Sequence, residues 1–499
     1  MKTFPFACVL GLPALLGACA VQPAYQRPTL KLPADWSDAR DGVPSRIERD
    51  GWWRLLDDPA VDRLVDAGLL DNPTLAEAAA RMDQARAVLS VENAQKVPSV
   101  GLEANATYSR DRAGAGSGTT GQTSLSAGAR LSWEIDLWGR VRSKSDAAES
   151  RLAARTADTE AARLSIVGDI ADAAIALRGC HAILNIRGRD IASRETELQI
   201  GRARLSLGSI APFAIAAAEG NFAAARIDHI AQEEGCTRLV NALVALSGVE
   251  AGEVRALLTP VPSAAVAASL DEEGMSVAPL PVPPPFSIAL PATVLRSHPA
   301  VVAAESEAMA RWAEVGVAKA ERLPRIDLLG VLTGQWIRAL GSSSSYVSGS
   351  AGAGLTLPIF DGGAGKARVR SAEAAYREAA AQLIGIVRIA IRDIEDGLAA
   401  RQSAEARIDA ATAALTASEY TLRANLARWR AGAIAQFELE ETRRQFNAAQ
   451  ENLVAASADR ARAWIALVRR AGPAAYQQAA EDGAASMLPT GRSDGNMNQ

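Results

Sequence analysis

The sequence predicts a mixed α and β fold built from a tandem-duplicated unit of helix, β-hairpin and long helical hairpin. Three observations predict it. Matching residues recur at a nearly constant offset, and two stretches alternate apolar with polar or small residues around glycine- and serine-rich loops. Two runs of more than sixty residues contain no proline.

The repeat is read from offsets. Asn72-Pro73 recurs as His298-Pro299 and Val97-Pro98 as Leu323-Pro324, both 226 positions on. Gly139 matches Gly363 at 224, and the stretch from Arg204 to Phe213 matches Arg428 to Phe437 at 224, with five of ten positions identical. The offset shifts by two only between Pro98 and Gly139, where a hairpin can absorb a small deletion. The predicted domains are repeat 1 over 61–250 and repeat 2 over 292–471, joined by a Pro-rich linker over 251–291 whose prolines exclude a long helix.

Each copy opens with a helix of about thirty residues that stops at a proline. A hairpin follows, over 99–137 and 325–360. In copy one Val100, Leu102, Ala104, Ala106 and Tyr108 alternate with polar or small residues; after a loop from Asp111 to about Gln122, Leu125, Ala127, Ala129, Leu131, Trp133 and Ile135 alternate on the return. Copy two runs from Ile326 to Arg338, loops over Gly341 to Ser345, and returns from Val347 to Phe360. Such long period-two alternation suits a tilted membrane strand. Tyr108, Trp336 and Tyr346 lie near the loop ends and Trp138 and Phe360 near the other ends, as two aromatic belts. A membrane barrel has no free edge and begins at about eight strands, so a chain with four must associate with others.

The proline-free runs, Arg140 to Arg204 and Lys366 to Arg430, read as helices of about 100 Å at 1.5 Å per residue. Each reaches a glycine turn, Gly208 or Gly432, suited to the left-handed end of a helix. Each returns, from Pro212 to Val249 or from Gln436 to Arg470, with a flanking isoleucine and phenylalanine placed to staple the turn. Cys180 lies 28 residues before Gly208 and Cys236 28 after it, so antiparallel helices would set them side by side, as a disulfide or as two buried thiols.

The ends address the chain. Lys2 and the apolar run Phe4 to Leu16 read as an export signal over 1–18, too short to span a bilayer. An extended segment over 19–60 follows, and residues 472–499 have the composition of a disordered tail. No apolar run of transmembrane length follows Cys19. A net charge of −4 argues against nucleic acid as a partner. His181, His229 and His298 stand in no ligand spacing, and no nucleophile elbow, phosphate loop or metal motif occurs. The expectation is no enzyme, no metal and no cofactor beyond a covalent lipid.

Leu16-Gly17-Ala18-Cys19 resembles the lipobox of bacterial lipoproteins, which implies acylation of Cys19 and a membrane anchor. The duplicated plan resembles the TolC-like outer membrane factors, in particular their lipoprotein NodT/OprM branch. The likeness rests on Trp52-Trp53 with Leu64, Asn72-Pro73-Thr74-Leu75, the run from Trp133 to Arg140, the run from Leu357 to Gly363, and the two Arg-x-x-x-Gly turns. It implies a homotrimer with a twelve-stranded outer-membrane β-barrel continuous with a periplasmic α-helical barrel. It also implies partners: a periplasmic adaptor, an inner-membrane pump and outer-membrane lipids. The implied function is a passive duct for small toxic compounds or drugs in a tripartite efflux system. A duct for type I protein secretion and a non-channel periplasmic coiled-coil scaffold are the alternatives.

The resemblance places a gate at the periplasmic tips. Glu438 and Glu441, spaced i, i+3, are its candidate acids, with Arg428 and Arg430 placed to pair with them and hold the mouth shut. Copy one has Ala214 in the equivalent place. Arg204, Gly208, Ile210, Phe213, Arg428, Gly432, Ile434 and Phe437 are the candidate adaptor contacts.

Overall fold

The computed structural model describes residues 25, 27–37, 51–112, 119–259, 280–284, 288 and 291–472. The export signal, Cys19, the tail beyond Gly472 and most of the Pro-rich linker lie outside the described residues.

The duplication is visible in the element lengths. A 3-10 turn over Trp52–Leu56 and helix α1 (Pro59–Asp71) precede α2 (Pro73–Ala94), strands β1 (Ser99–Arg112) and β2 (Thr119–Ile135), α3 (Arg140–Ser206), α4 (Pro212–Ser247) and α5 (Ala251–Leu258). The second copy contains α6 (Pro291–Ser297), α7 (Pro299–Ala320), β3 (Arg325–Ala339), β4 (Ser342–Thr356), α8 (Ala364–Arg430) and α9 (Gln436–Ala471). Helices α2 and α7 each have 22 residues, α3 and α8 each 67, and α4 and α9 each 36.

Several expected boundaries are corrected. The first helix of each copy is two helices, because the proline of Asn72-Pro73 or His298-Pro299 forces the preceding residue out of helical conformation. The segment over 19–60 is not wholly extended: it holds the Trp52–Leu56 turn and the start of α1, whose N-cap Asp58 accepts the Ala60 N–H at 3.0 Å. The first eight residues of the Pro-rich linker are α5. The strands reach into both expected loops. β1 pairs with β2 as far as Arg112↔Thr119, and β3 with β4 as far as Ala339↔Ser342. That leaves Leu340-Gly341 as a two-residue turn with φ of 50° and 83°, the mirror-image geometry that follows strand twist. Serine hid only the first residues of β4, which pair with β3 through the backbone whatever their side-chain propensity.

Two compact units result. One contains the sheet with residues 79–158 and 302–386. Its strands are all antiparallel in the order β1-β2-β3-β4, so the two hairpins of the duplication join through β2 and β3. Beneath the sheet Lys96 Nζ reaches Ser145 Oγ at 2.7 Å, joining the end of α2 to α3, and Arg151 of α3 pairs with Glu314 of α7.

The second unit holds residues 31–78, 159–301 and 387–472 among those described. Its core gathers Trp52, Leu56, Leu64, Ile170, Leu243 and Trp464, all under 2 % exposed. Trp52 packs against Trp464 at 5.8 Å between ring centroids. Asp58 receives both guanidinium arms of Arg178, at 2.5 and 2.7 Å, so the carboxylate that caps α1 also fixes it to α3. At Gly68 a Cβ would meet Ile170 Cδ1 at 2.5 Å, which explains the glycine inside α1.

Candidate functional site

Register decides which strand residues share a face, because opposed residues in an antiparallel pair point the same way and neighbours in sequence point oppositely. One face carries Val100, Leu102, Ala104, Ala106 and Tyr108 of β1, with Leu125, Ala127, Ala129, Leu131, Trp133 and Ile135 of β2. It continues through Ile326, Leu328, Leu332 and Trp336 of β3 and Val347, Ala351, Ala353 and Leu355 of β4. Leu102, Val347 and Leu355 are 86 %, 75 % and 68 % exposed, so this apolar face has no cover among the described residues.

The other face carries Asn105, Glu103, Ser126, Arg130, Ser132, Thr333, Gln335, Ser348 and Ser350, with Arg130 3.9 Å from Glu103. Leu329, Val331, Ile337 and Ala339 are its apolar exceptions on β3. Apolar residues on one face and polar residues on the other are the alternation that the strands of a membrane barrel carry.

Trp336 and Tyr108 share the apolar face near the turns. Tyr346 does not belong with them. It opposes Gln335 on the polar face and donates its hydroxyl to the Gln335 side-chain oxygen. Its nearness in sequence to Trp336 concealed a change of face. At the opposite end the Trp138 indole N–H donates to the Pro324 carbonyl at 2.7 Å, tying the end of β2 to the start of β3. Phe360 is 92 % exposed beyond β4.

The two hairpin tips are built alike. The N–H of Gly208 bonds the Leu205 carbonyl and that of Ser209 the Arg204 carbonyl, both at 2.9 Å. Gly432 and Ala433 repeat this on Trp429 and Arg428 at 2.9 and 2.8 Å. Each is a left-handed glycine ending a helix, with φ of 68° and 71°. Arg204 and Arg428 therefore supply the main-chain acceptors that close the turns. Ile210 and Ile434 are half-buried, and Ile434 packs against the cluster of Leu422, Leu426, Leu439 and Phe446. Phe213 and Phe437 are 78 % and 64 % exposed, so neither staples its turn. The Arg444 guanidinium stands 5.9 Å over the Phe437 ring.

One of the expected gate pairs spans the second turn. Arg428 Nη1 lies 3.5 Å from Glu438 Oε1 across the second turn. Glu441 is paired otherwise than expected, with Arg444 at 2.8 Å one helical turn on, and Arg444 also reaches Glu197 of α3 at 3.4 Å. The hydrogen bonds from Arg444 and Gln445 hold the Glu441 carboxyl below the usual glutamate range. Arg430 is exposed.

Sequence reading passed over Glu440, which is fully buried between these two acids. It accepts from Gln436 at 2.6 Å, Arg443 at 3.0 Å and the Ser193 hydroxyl of α3. The signal was present: with three acids in the four residues Glu438 to Glu441, a helix can turn only some of them to water.

Helix α3 is bonded to α4 and to α9 along its length. Cys180 and Cys236 form a disulfide to α4, with a Cα separation of 5.6 Å. An antiparallel series of contacts joins α3 to α9: Asp169–Arg469, Asp172–Arg462 at 2.8 Å, Arg187–Glu451 at 3.3 Å and Arg189–Gln450 at 2.7 Å.

A family model described as outer membrane efflux protein matches residues 64–249 and 290–473, one segment for each repeat. The chain belongs to that family. An outer membrane efflux protein is an outer-membrane channel component, and its location is the outer membrane. The chain is 30 % identical over 434 residues to outer membrane protein OprJ of Pseudomonas aeruginosa, covering 84 % of this chain and 85 % of that one. It is 27 % identical to nodulation protein T of Rhizobium leguminosarum bv. viciae, over 91 % and 90 % of the two chains. A crystal structure of a membrane protein from Pseudomonas aeruginosa matches with a TM-score of 0.75 at 27 % identity, covering 91 % of this chain and all of that one. Among the described residues no helix of this outer membrane efflux protein is long and apolar enough to cross a membrane.

Proposed function

We propose that three copies close one twelve-stranded barrel, each supplying the four strands, and that the polar face lines the conduit. The observation that carries this is the sheet itself: one face apolar and uncovered, the other polar, with β1 and β4 at its edges. An open edge in hydrocarbon leaves backbone groups without partners, so β1 of one copy must pair with β4 of the next. The helical hairpins then continue the conduit into the periplasm, where the turns at Gly208 and Gly432 form its mouth.

In this reading the mouth is gated by Arg428 and Glu438, and the tips meet a periplasmic adaptor that joins the channel to an inner-membrane pump. The exported class is small toxic compounds. Acylation of Cys19 anchors the N-terminus to the membrane and needs no other cofactor. The protein conducts and carries out no catalysis.

The test uses the purified full chain in detergent and in planar bilayers. A mass of three copies with stepwise conductance is expected. A monomer, or a trimer that conducts nothing, overturns the reading, and the second outcome favours a scaffold.

A further inference from the structure

The apolar face of the sheet bears two charges between residues 99–110, 121–135, 325–339 and 342–356. They are Arg110 and Arg338, and both stand at the turn end. Arg338 is level with Tyr108 and Thr123 in the register, and Arg110 lies two residues farther out, opposite Gly121. Every carboxylate in these spans is on the other face. Both arginines are exposed, and neither is ion-paired among the described residues.

Tyr108 extends toward them. A Cβ on Gly121 would meet its hydroxyl at 3.1 Å, so the ring lies along the sheet with its polar tip outward. Just below is a shallow, mainly apolar groove of about 830 Å³ whose lining includes Ala104, Ala127, Trp336 and Val347 together with the polar Asn105 and Gln335. Two cations, a hydroxyl and an aromatic ring thus cap a groove shaped for hydrocarbon.

We propose that this is a binding site for a phosphorylated glycolipid of the outer leaflet. The proposal rests on the reading above, in which the apolar face meets lipid and the turns face outward. Guanidinium groups bind phosphate by paired hydrogen bonds. The two backbone positions are two strands and two residues apart, about 12 Å. That separation suits a sugar headgroup phosphorylated at both ends, one phosphate to each arginine, better than a single phosphodiester. The acyl chains lie in the groove beneath Trp336.

The test is native mass spectrometry of the full chain, delipidated in detergent and offered bisphosphorylated lipid A, its dephosphorylated form, or phosphatidylglycerol. Wild type is expected to retain the bisphosphorylated lipid. The Arg110→Gln/Arg338→Gln variant should retain roughly thirty-fold less, in line with two surface cations. Arg130→Gln, on the polar face, should retain as much as wild type. Equal retention by the double variant, or equal retention of phosphatidylglycerol, overturns the proposal. Planar-bilayer conductance of the same preparations separates the two levels. If wild type conducts while lipid retention is insensitive to the arginines, this inference alone falls; if it does not conduct, the channel reading falls first.

Discussion

His298 holds in the second repeat the place that Asn72 holds in the first. The Asn72 side-chain amide donates to the Leu246 carbonyl at 2.8 Å, and its oxygen accepts the Thr74 N–H at 2.9 Å. His298 bonds the backbone of Arg470, which follows Leu246 at the repeat offset of 224. Duplication has thus put a titratable ring where the first copy has a neutral amide.

Burial pushes the His298 pKa down, against the upward pull of its Arg470 bond and of Asp393 on α8. Its Nδ1 is buried without a hydrogen-bond partner among the described residues. The sign follows from linkage. The unfolded chain takes up a proton near the ordinary histidine value, about 6.5, while the folded site resists it. Stability therefore declines as pH falls through that value and levels once the folded site protonates. His298→Asn, copying the first repeat, should flatten the decline in thermal unfolding followed against pH. A variant curve parallel to wild type would remove His298 from the account.

The Ser193 hydroxyl and the buried Glu440 carboxylate join the outgoing helix of repeat 1 to the return helix of repeat 2. Ser193→Ala leaves that carboxylate oxygen without its donor, at a cost of about 1–3 kcal/mol. Ser193→Ala/Glu440→Gln should recover part of the loss, because a neutral amide lacking one partner costs less than a carboxylate and its oxygen can still accept from Gln436 and Arg443. Denaturant midpoints of the three proteins measure this, and a silent Ser193→Ala would show that the contact contributes nothing.

The parts of this fold legible in sequence were those with a period. The offsets located both copies, alternation located the strands, and Gly208 and Gly432 located the tips, because a left-handed residue closing a helix is nearly always glycine. Register was not legible. Tyr346 fell on the polar face because Leu340-Gly341 is a two-residue turn rather than a loop, which sets its pairing with Gln335. Partners between helices distant in sequence were also hidden. Arg444 takes Glu441 and Glu197, 247 positions away, where sequence proximity had suggested Arg428 and Arg430. Neither contact follows from the composition of a single helix.

The Cys180–Cys236 bond closes a loop of 56 residues in the first hairpin, whereas Ala404 and Arg460 stand at the offset positions of the second. By loop-closure entropy such a link stabilises by about 4 kcal/mol. Protein unfolded without reductant should show no reactive thiol from this pair, and Cys180→Ala/Cys236→Ala should unfold at a lower temperature. Two thiols titrating in the unreduced sample would refute the bond.

At the second tip the two acidic contacts should behave differently. Arg428 and Glu438 have side chains 54 % and 52 % exposed, so breaking the pair changes stability by less than about 1 kcal/mol. If the pair holds the mouth, Arg428→Glu should raise single-channel conductance at unchanged thermal stability, and Arg428→Glu/Glu438→Arg should return it toward wild type. Glu441 is held by Arg444 on its own helix, so Glu441→Gln should leave conductance nearly unchanged. Its lowered pKa makes its stabilising contribution present above the ordinary glutamate range and lost only as pH falls through the depressed folded value. Equal conductance changes at Glu438 and Glu441 would mean that the pore responds to net charge near its mouth, with no specific role for the contact across Gly432.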